Sequence, residues 1–354
     1  MKRRKSLSIS IGGVKIGGKA PIAVQSMTKT DTRDIDTTVK QIRELERVGC
    51  ELVRIAVPDT EAAEKLRKIK EKISIPLIAD IHFDYKLALK AIQEDINALR
   101  LNPGNIIGGK RKIAEVVKAA KDKNIPIRIG VNAGSLEKDL IKTYPKNISK
   151  AMVLSALRHV SIFEELDFRL IKISLKASDI LTTLSAYRMI SKKIDYPLHL
   201  GITESGTVFG GTIKSSVGIG ILLSEGIGDT IRVSLTGDPR EEVRVGFKIL
   251  NSLHLRKRGI EIISCPTCGR CEIDLTSLVN KIEKKLNHAS KPIKVAIMGC
   301  IVNGPGEAKE ADIGIAGGKG LGVLFHKGEI IRKIREEEME KVLIREIEKM
   351  LKDN

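Results

Sequence analysis

Between residues 22 and 250 the chain repeats one unit eight times, a short β-rich run followed by an amphipathic stretch of helical period. The runs lie at 22–27, 51–57, 76–83, 97–101, 126–131, 169–174, 197–202 and 229–234. The helices that follow them are placed at 37–48, 60–71, 84–94, 110–123, 148–165, 178–194, 212–225 and 240–250. Strands joined through helices run parallel, because the crossover returns the chain to the end where it began. Eight such units in about 230 residues fit a closed (β/α)8 barrel of the TIM type. The alternative is an open doubly wound sheet. It seldom needs eight units, and no Gly-rich nucleotide fingerprint follows the first strand. Residues 5–17 read as a hairpin on Gly12-Gly13, placed at the barrel floor.

After about residue 251 the repeat stops. A basic linker, 251–263, leads into a small α/β domain at 264–354. That domain opens with CPTCGRC and continues with a helix, the strand VAIMG, a Gly-Pro loop, a Gly-rich hairpin and a final amphipathic helix at 329–351. The GGKG at 317–320 lacks the spacing of a phosphate loop and sits between strand-like runs, so it reads as a hairpin turn. The fold class expected is therefore α/β: a barrel over 1–250, then a small α/β domain.

The barrel strands carry charge where a barrel carries branched apolar groups. A basic or imidazole residue stands between two apolar ones in Val53-Arg54-Ile55, Ile81-His82-Phe83, Leu99-Arg100-Leu101, Ile127-Arg128-Ile129, Ile171-Lys172-Ile173, Leu198-His199-Leu200 and Ile231-Arg232-Val233. Side chains alternate across a strand, so the apolar pair faces the helices and the central residue points inward. An antiparallel sheet with a solvated polar face would give the same alternation, but βα repeats bury both faces. Each unpaired buried charge costs several kcal/mol, so a ring of cations implies a polyanion at the barrel mouth. Arg suits phosphate oxygens because its planar fork grips them in pairs. Asn102, Asn132, Ser174 and Ser234 lie at the C-terminal strand ends, where barrel active sites form. Two carboxylates share the region. Asp80 reads as counter-ion or acid; Glu204, on a loop beside Gly206, is the better placed to move protons.

The chain has 62 basic and 44 acidic residues, a formal charge of +18. Nucleic acid is the first partner this suggests. Aromatics are only 3% with no Trp, and no helix-turn-helix, RNA-recognition or zinc-finger pattern stands out, so no nucleic-acid partner is expected. No apolar run approaches the roughly 18 residues of a membrane span, and MKRRKSLSISIGG has no apolar signal core. No membrane partner and a cytoplasmic location are expected. Cys50 reads as a small buried hydrophobe. The other cysteines cluster: Cys265, Cys268 and Cys271 in C-x2-C-x2-C spacing, with Cys300 remote. Thiolates so spaced hold zinc or an iron–sulfur cube. Cys300 opens a Gly-Pro loop that delivers Glu307, and either Cys271 or Glu307 completes the set.

The stretches VQSMT, VRIAVPD, ADIHF, LRLNPGN, RIGVN, LHLGITESG, RVSLTGDP, CPTCGR and MGCIVNGPGE together give the chain a resemblance. It resembles the bacterial two-domain form of 4-hydroxy-3-methylbut-2-enyl diphosphate synthase, of the non-mevalonate route to isoprenoids. The resemblance implies one [4Fe–4S] cluster per chain, held in the 264–354 domain by Cys265, Cys268, Cys300 and Glu307, with Cys271 a departure from the usual pattern. It implies reductive ring opening of 2-C-methyl-D-erythritol 2,4-cyclodiphosphate, a reduced flavodoxin or ferredoxin as donor, and a head-to-tail homodimer. On that reading Arg54, Arg100, Arg128, Lys172 and Arg232 hold the diphosphate with Asn132 and Ser234. Glu204 is the proton donor, Glu307 caps the iron that meets substrate, and Asp80, His82, Asn102, Ser174 and His199 support the site. Two rival readings remain: a basic iron–sulfur or zinc protein on nucleic acid, and a pterin-synthase-like barrel with a zinc domain.

Overall fold

The computed structural model describes residues 2–102, 109–287, 289–300 and 309–352. They fall into two units, 1–256 and 257–354.

The first unit opens with a hairpin of β1 (Ile9–Ile11) and β2 (Val14–Ile16). Eight strands follow: β3 (Ala23–Met27), β4 (Leu52–Ala56), β5 (Leu77–Ile81), β6 (Ala98–Leu101), β7 (Ile127–Asn132), β8 (Ile171–Lys176), β9 (His199–Leu200) and β10 (Thr230–Ile231). They form one parallel sheet in the order β8-β7-β6-β5-β4-β3-β10-β9. A parallel bridge from Ile173 to Leu198 brings β8 back against the run leading into β9. The sheet closes on itself, and the open doubly wound alternative is excluded. The last two strands are shorter than expected, because the chain turns into the mouth loops after Leu200 and Ile231.

The helices are α1 (Ile35–Arg47), α2 (Thr60–Lys70), α3 (Tyr85–Gln93), α4 (Gly109–Asp122), α5 (Lys138–Thr143), α6 (Ile148–Glu165), α7 (Ile180–Ile190), α8 (Val208–Ser224) and α9 (Pro239–Ser252). Asp34, Asp59, Asp84, Asn147, Asp179, Thr207 and Asp238 each cap one of them, accepting a backbone N–H of the first turn. Such a cap contributes about 1 kcal/mol and sets where the mouth loop ends. The short α5 had no counterpart in the periodicity. Helix α8 starts four residues before the expected 212, since Thr207 caps it and Gly210-Gly211 are carried inside the first turn.

Strand parity divides the core. Val53, Ile55, Leu99, Leu101, Ile127 and Ile129 pack outward with the helices in one large apolar cluster. Inward residues near the strand starts, Ala23, Leu52, Ile78 and Ala98, form a separate cluster with Ile9, Ile11 and Ile16 of the hairpin. The hairpin therefore plugs the barrel floor, as its position in the sequence suggested. Arg3 and Arg4 fasten this segment: Arg3 pairs with Asp229 at 3.1 Å, and Arg4 donates to the Ile194 and Tyr196 carbonyls.

The second unit holds β11 (Ile260–Ser264), α10 (Leu275–Leu286), β12 (Ile293–Met298), β13 (Ile313–Gly317), β14 (Leu321–His326), β15 (Glu329–Arg335) and α11 (Met339–Lys352). Its sheet runs β11 to β15 in order, the first three parallel and the last three antiparallel. Residues 318–320 turn β13 into β14, the hairpin expected for GGKG. The final helix expected at 329–351 is corrected. Residues 329–335 are an edge strand, and the helix begins at Met339. Lys327 and Gly328 both have positive φ, the geometry of a two-residue hairpin turn, and this pairs Glu329 with His326. The strand is exposed at six of its seven positions. Its charge density, which mimics a helix face, is what an open sheet edge requires.

Candidate active site

The inward residues above the floor are polar. Register aligns Asp80, Arg100, Arg128 and Lys172 across β5 to β8 in one row. Arg54, Arg100, Arg128 and Lys172 are all buried, with Lys172 only 1% exposed, and Arg232 is nearly so. Above the row, in register with Asn132, lies a further cation that the sequence reading missed. Lys176 shares the parity of Lys172 and Ser174 at the end of β8 and is also buried. A Cβ on Gly201 would lie 2.6 Å from its Nζ and 2.6 Å from the Arg232 carbonyl oxygen, so glycine leaves both in place. Gly130 does the same for the Arg100 guanidinium, whose Nε lies 2.8 Å from the corresponding point.

Among the described residues, two carboxylates form ion pairs with these six cations, and Asp229 acts on Lys172 from farther away. Asp80 sits between Arg54 (3.4 Å) and Arg100 (3.1 Å). Burial alone would raise its pKa, but Arg54, Arg100 and Arg128 outweigh that and hold it at about 2. Glu242 of α9, which sequence reasoning also missed, lies 3.5 Å from Arg232. Arg128 Nε and Nη1, Arg100 Nε and Lys172 Nζ are buried and find no hydrogen-bond partner among the described residues. Gln25 on β3 is equally buried, with both amide atoms unpartnered among the described residues. Burial first, then Arg128 and Arg54, pushes Lys172 down to about 7. Burial and the neighbouring cations also drive Lys176 well below the ordinary lysine value.

The imidazoles behave differently from one another. His199 is fully buried, with Nδ1 2.8 Å from Thr230 Oγ1. Burial and then Arg128, Lys176 and Lys172 hold it neutral, well below its ordinary pKa. His82 departs from the expected inward ring: β5 ends at Ile81, and His82 is exposed at the rim. Its Nε2 lies 3.1 Å from Arg100 Nη1. A guanidinium can only donate, so His82 is the acceptor there. The mid-strand inward position on β5 belongs to Asp80.

The rim supplies neutral groups. Asn102 donates through Nδ2 to Ser135 Oγ at 2.9 Å, and Ser135 Oγ lies 3.4 Å from the Asn132 carbonyl. Ser174 is buried beside Gly130, and Ser234 is half-buried on the loop after β10. Glu204 is exposed on the loop after β9 with φ of 52°, a conformation that costs a non-glycine residue about 1 kcal/mol. That loop is tied to the next one, since Thr236 N–H donates to the Gly206 carbonyl at 3.0 Å. Such strain, held in place by a neighbouring loop, is a mark of functional loops.

In the second unit, Cys265 follows β11, and Cys300 follows Gly299 at the end of the adjacent parallel strand β12. Cys265 Sγ accepts the Gly299 N–H at 3.3 Å. Cys271 Sγ packs on the same residue, 2.4 Å from where a Gly299 Cβ would lie, and points at the Ile273 carbonyl. Cys268 is exposed, its thiol lowered by the Arg270 backbone N–H. Glu307 lies outside the described residues. No three described His, Cys, Asp or Glu side chains are gathered closely enough to hold a metal ion. The donor set nevertheless suits an iron–sulfur cluster: thiols emerge from the C-terminal ends of neighbouring strands, and one already accepts a backbone N–H as a thiolate does. Cys50 is buried apart from them, and burial pushes its thiol up to about 12, so it is inert.

Comparison with known proteins agrees with this layout. The chain is 60% identical over 349 residues to the 4-hydroxy-3-methylbut-2-en-1-yl diphosphate synthase (flavodoxin) of Thermodesulfovibrio yellowstonii, covering 99% of this chain and 100% of that one. It is 59% identical to the protein of the same name from Geobacter sulfurreducens, covering 99% of each. Among solved structures, the dihydropteroate synthase of Stenotrophomonas maltophilia matches with a TM-score of 0.51 at 12% identity, over 70% of this chain and 98% of that one. That likeness shows the barrel fold alone. The GcpE TIM-barrel domain matches residues 6–247 and the GcpE protein C-terminal domain matches residues 261–349, and the chain belongs to the GcpE family.

Proposed function

We propose that this chain is a 4-hydroxy-3-methylbut-2-enyl diphosphate synthase. It opens the ring of 2-C-methyl-D-erythritol 2,4-cyclodiphosphate and releases water, using two electrons and one net proton. The observation that carries the reading is the barrel interior: five buried cations and a nearly buried sixth, with ion pairs to only two carboxylates among the described residues and with donors on Arg128, Arg100 and Lys172 that no described protein group satisfies. A cyclic diphosphate brings the negative charge and the oxygens these donors need. Full-length relatives with this name at about 60% identity support the same substrate and flavodoxin as the electron donor.

Arg54 and Arg100, fixed by Asp80, form one wall of the cradle. Arg128, Lys172 and Lys176 supply unanchored charge, and Arg232 faces them with Ser234. Asn132 and Asn102 orient the neutral part of the substrate. Glu204 gives its proton to the hydroxyl that leaves as water, from a loop at the open end of the barrel. Cys265, Cys268 and Cys300, with Glu307, would hold one [4Fe–4S] cluster per chain, leaving Cys271 free. When bound, the cluster supplies electrons one at a time. The +18 charge favours docking of an acidic electron carrier. A head-to-tail homodimer completes the proposal, each cluster domain serving the partner's barrel. The test is anaerobic purification with iron and sulfide analysis, then turnover of the cyclodiphosphate with reduced flavodoxin. Four irons per chain and product formation are expected. Stoichiometric zinc, or an iron-loaded protein inert toward the cyclodiphosphate, overturns it.

A further inference from the structure

Helix α9 should bury an apolar face, and Val243, Gly246, Phe247 and Leu250 do so. Glu242 lies on that same face at 1% exposure. A buried carboxylate is expensive unless it is paired, and here each oxygen has one hydrogen bond and one nearby cation. Oε2 accepts from the Ser26 hydroxyl of β3 at 3.0 Å and lies 3.5 Å from Arg232 Nε. Oε1 accepts the Leu235 backbone N–H at 3.2 Å and lies 3.4 Å from Lys29 Nζ. Lys29 in turn donates to the Leu235 carbonyl at 2.7 Å and to the Gly237 carbonyl. The carboxylate is thus the hub joining a strand, the loop that carries Ser234, and one cation of the cradle.

We propose that Glu242 is a positioning residue for diphosphate binding, holding the Arg232 guanidinium and the 232–237 loop in the geometry the anion meets. The proposal rests on the diphosphate reading of the barrel. The layout is the counterpart of Asp80 between Arg54 and Arg100. One carboxylate anchors each wall, while Arg128 Nε and Nη1 and Lys172 Nζ have no hydrogen-bond partner among the described residues. The Arg232 contact is an ion pair without hydrogen-bond alignment at Nε, so it restrains the guanidinium without using its fork. Glu242 does not itself touch an anion bound to the cradle; like charge excludes it. Its effect passes through Arg232.

The test is a double-mutant cycle on the anaerobic, cluster-loaded full chain, with Glu242→Gln, Arg232→Gln and the pair. Inorganic pyrophosphate binding is measured by calorimetry, and KM and kcat are measured for the cyclodiphosphate. Glu242→Gln keeps the side-chain volume and removes the charge. It should raise both the pyrophosphate Kd and KM by about tenfold, with kcat changed less than about threefold. In the Arg232→Gln background it should cause no further loss, because the group it positions is gone. Equal losses in both backgrounds overturn the proposal. So does a fall in thermal stability or active fraction with KM unmoved, which is what a merely structural role would give. If Glu242→Gln does not fold, Ser26→Ala removes a single hydrogen bond to the hub. It should raise Kd about twofold to threefold in the wild-type background alone, and equal effects in both backgrounds again overturn the proposal. A wild-type chain that binds no pyrophosphate overturns the diphosphate reading itself. A wild type that binds, with an Arg232→Gln variant that binds equally well, overturns only the role of Glu242.

Discussion

Lys172 should take up a proton when the diphosphate binds. The side chain is 1% exposed, faces Arg128 across the β7–β8 ladder, and has no hydrogen-bond partner among the described residues. Burial, then the Arg128 charge, lowers it to about 7, against a weaker opposite pull from Asp229. At pH 8 roughly nine-tenths of the free protein then carries a neutral Lys172, and at pH 6 roughly one-tenth. An anion in the cradle restores the charged form. Binding at pH 8 should therefore draw about 0.9 proton onto this residue, and at pH 6 about 0.1. Calorimetry with inorganic pyrophosphate, repeated in buffers of different ionisation enthalpy, measures the total uptake. The difference between wild type and Lys172→Met isolates this residue from the ligand's own titration. The same depression acts on folding. Between about pH 7 and 10.5 the unfolded chain binds more protons here than the folded one. The Lys172 contribution to stability therefore rises with pH in that window, by at most about 1.4 kcal/mol per unit. Equal proton uptake by wild type and Lys172→Met at pH 8 would refute the reasoning, because it would mean the ammonium is already charged in the free barrel.

Five further outcomes follow from the geometry. Asp80→Asn leaves Arg54 and Arg100 without their carboxylate and should cost about 3–5 kcal/mol of stability, with pyrophosphate restoring more of the melting temperature than it adds to wild type. Asp80 is held at about 2, below its unfolded value near 3.9, so its contribution of about 2–3 kcal/mol is present above that value and vanishes as pH falls through 2; acid titration of wild type against Asp80→Asn should show the two curves converging. Glu204→Gln should keep full iron content and pyrophosphate affinity while kcat falls by about 10²- to 10⁴-fold, and unchanged kcat would remove it as proton donor. Cys271→Ser should leave iron and sulfide unchanged, whereas Ser at Cys265, Cys268 or Cys300 should abolish loading; loss of iron in Cys271→Ser would make it a ligand. Chains carrying Glu204→Ala mixed with chains carrying Cys300→Ala should regain activity, and silent heterodimers would exclude action across the subunit boundary.

The barrel and most of its site were legible because the strands alternate with period two. Val53-Arg54-Ile55 can put Arg54 on only one face if both neighbours belong with the helices, and the two apolar clusters divide along that parity. Lys176 obeys the same rule, four residues after Lys172, but Ser174 reads as the end of the strand and β8 runs two residues further. His82 was misplaced for the opposite reason. Its flanks are apolar, yet Phe83 is 56% exposed and belongs to the rim, so the pattern outlasts the strand. Glu242 is carried by a helix, where the strand rule says nothing. The available signal was an acid at a core position of the 239, 242, 243, 246, 247, 250 face. The edge strand β15 was unreadable from charge density because a helix face and a sheet edge both need it. Register, set by the Lys327-Gly328 turn, decides the matter.

The floor plug has a consequence for how the chain reaches its native state. Arg3 and Asp229 are 226 residues apart in sequence, and Arg4 meets carbonyls about 190 positions later. During synthesis Ile9, Ile11 and Ile16 meet partners on the first four barrel strands, but the Arg3 and Arg4 fastenings of the hairpin wait until the last βα units emerge. Closing the bottom of the barrel is therefore a late, long-range event. Removing the hairpin should leave eight correct repeats around an open greasy hole, a species that self-associates during translation.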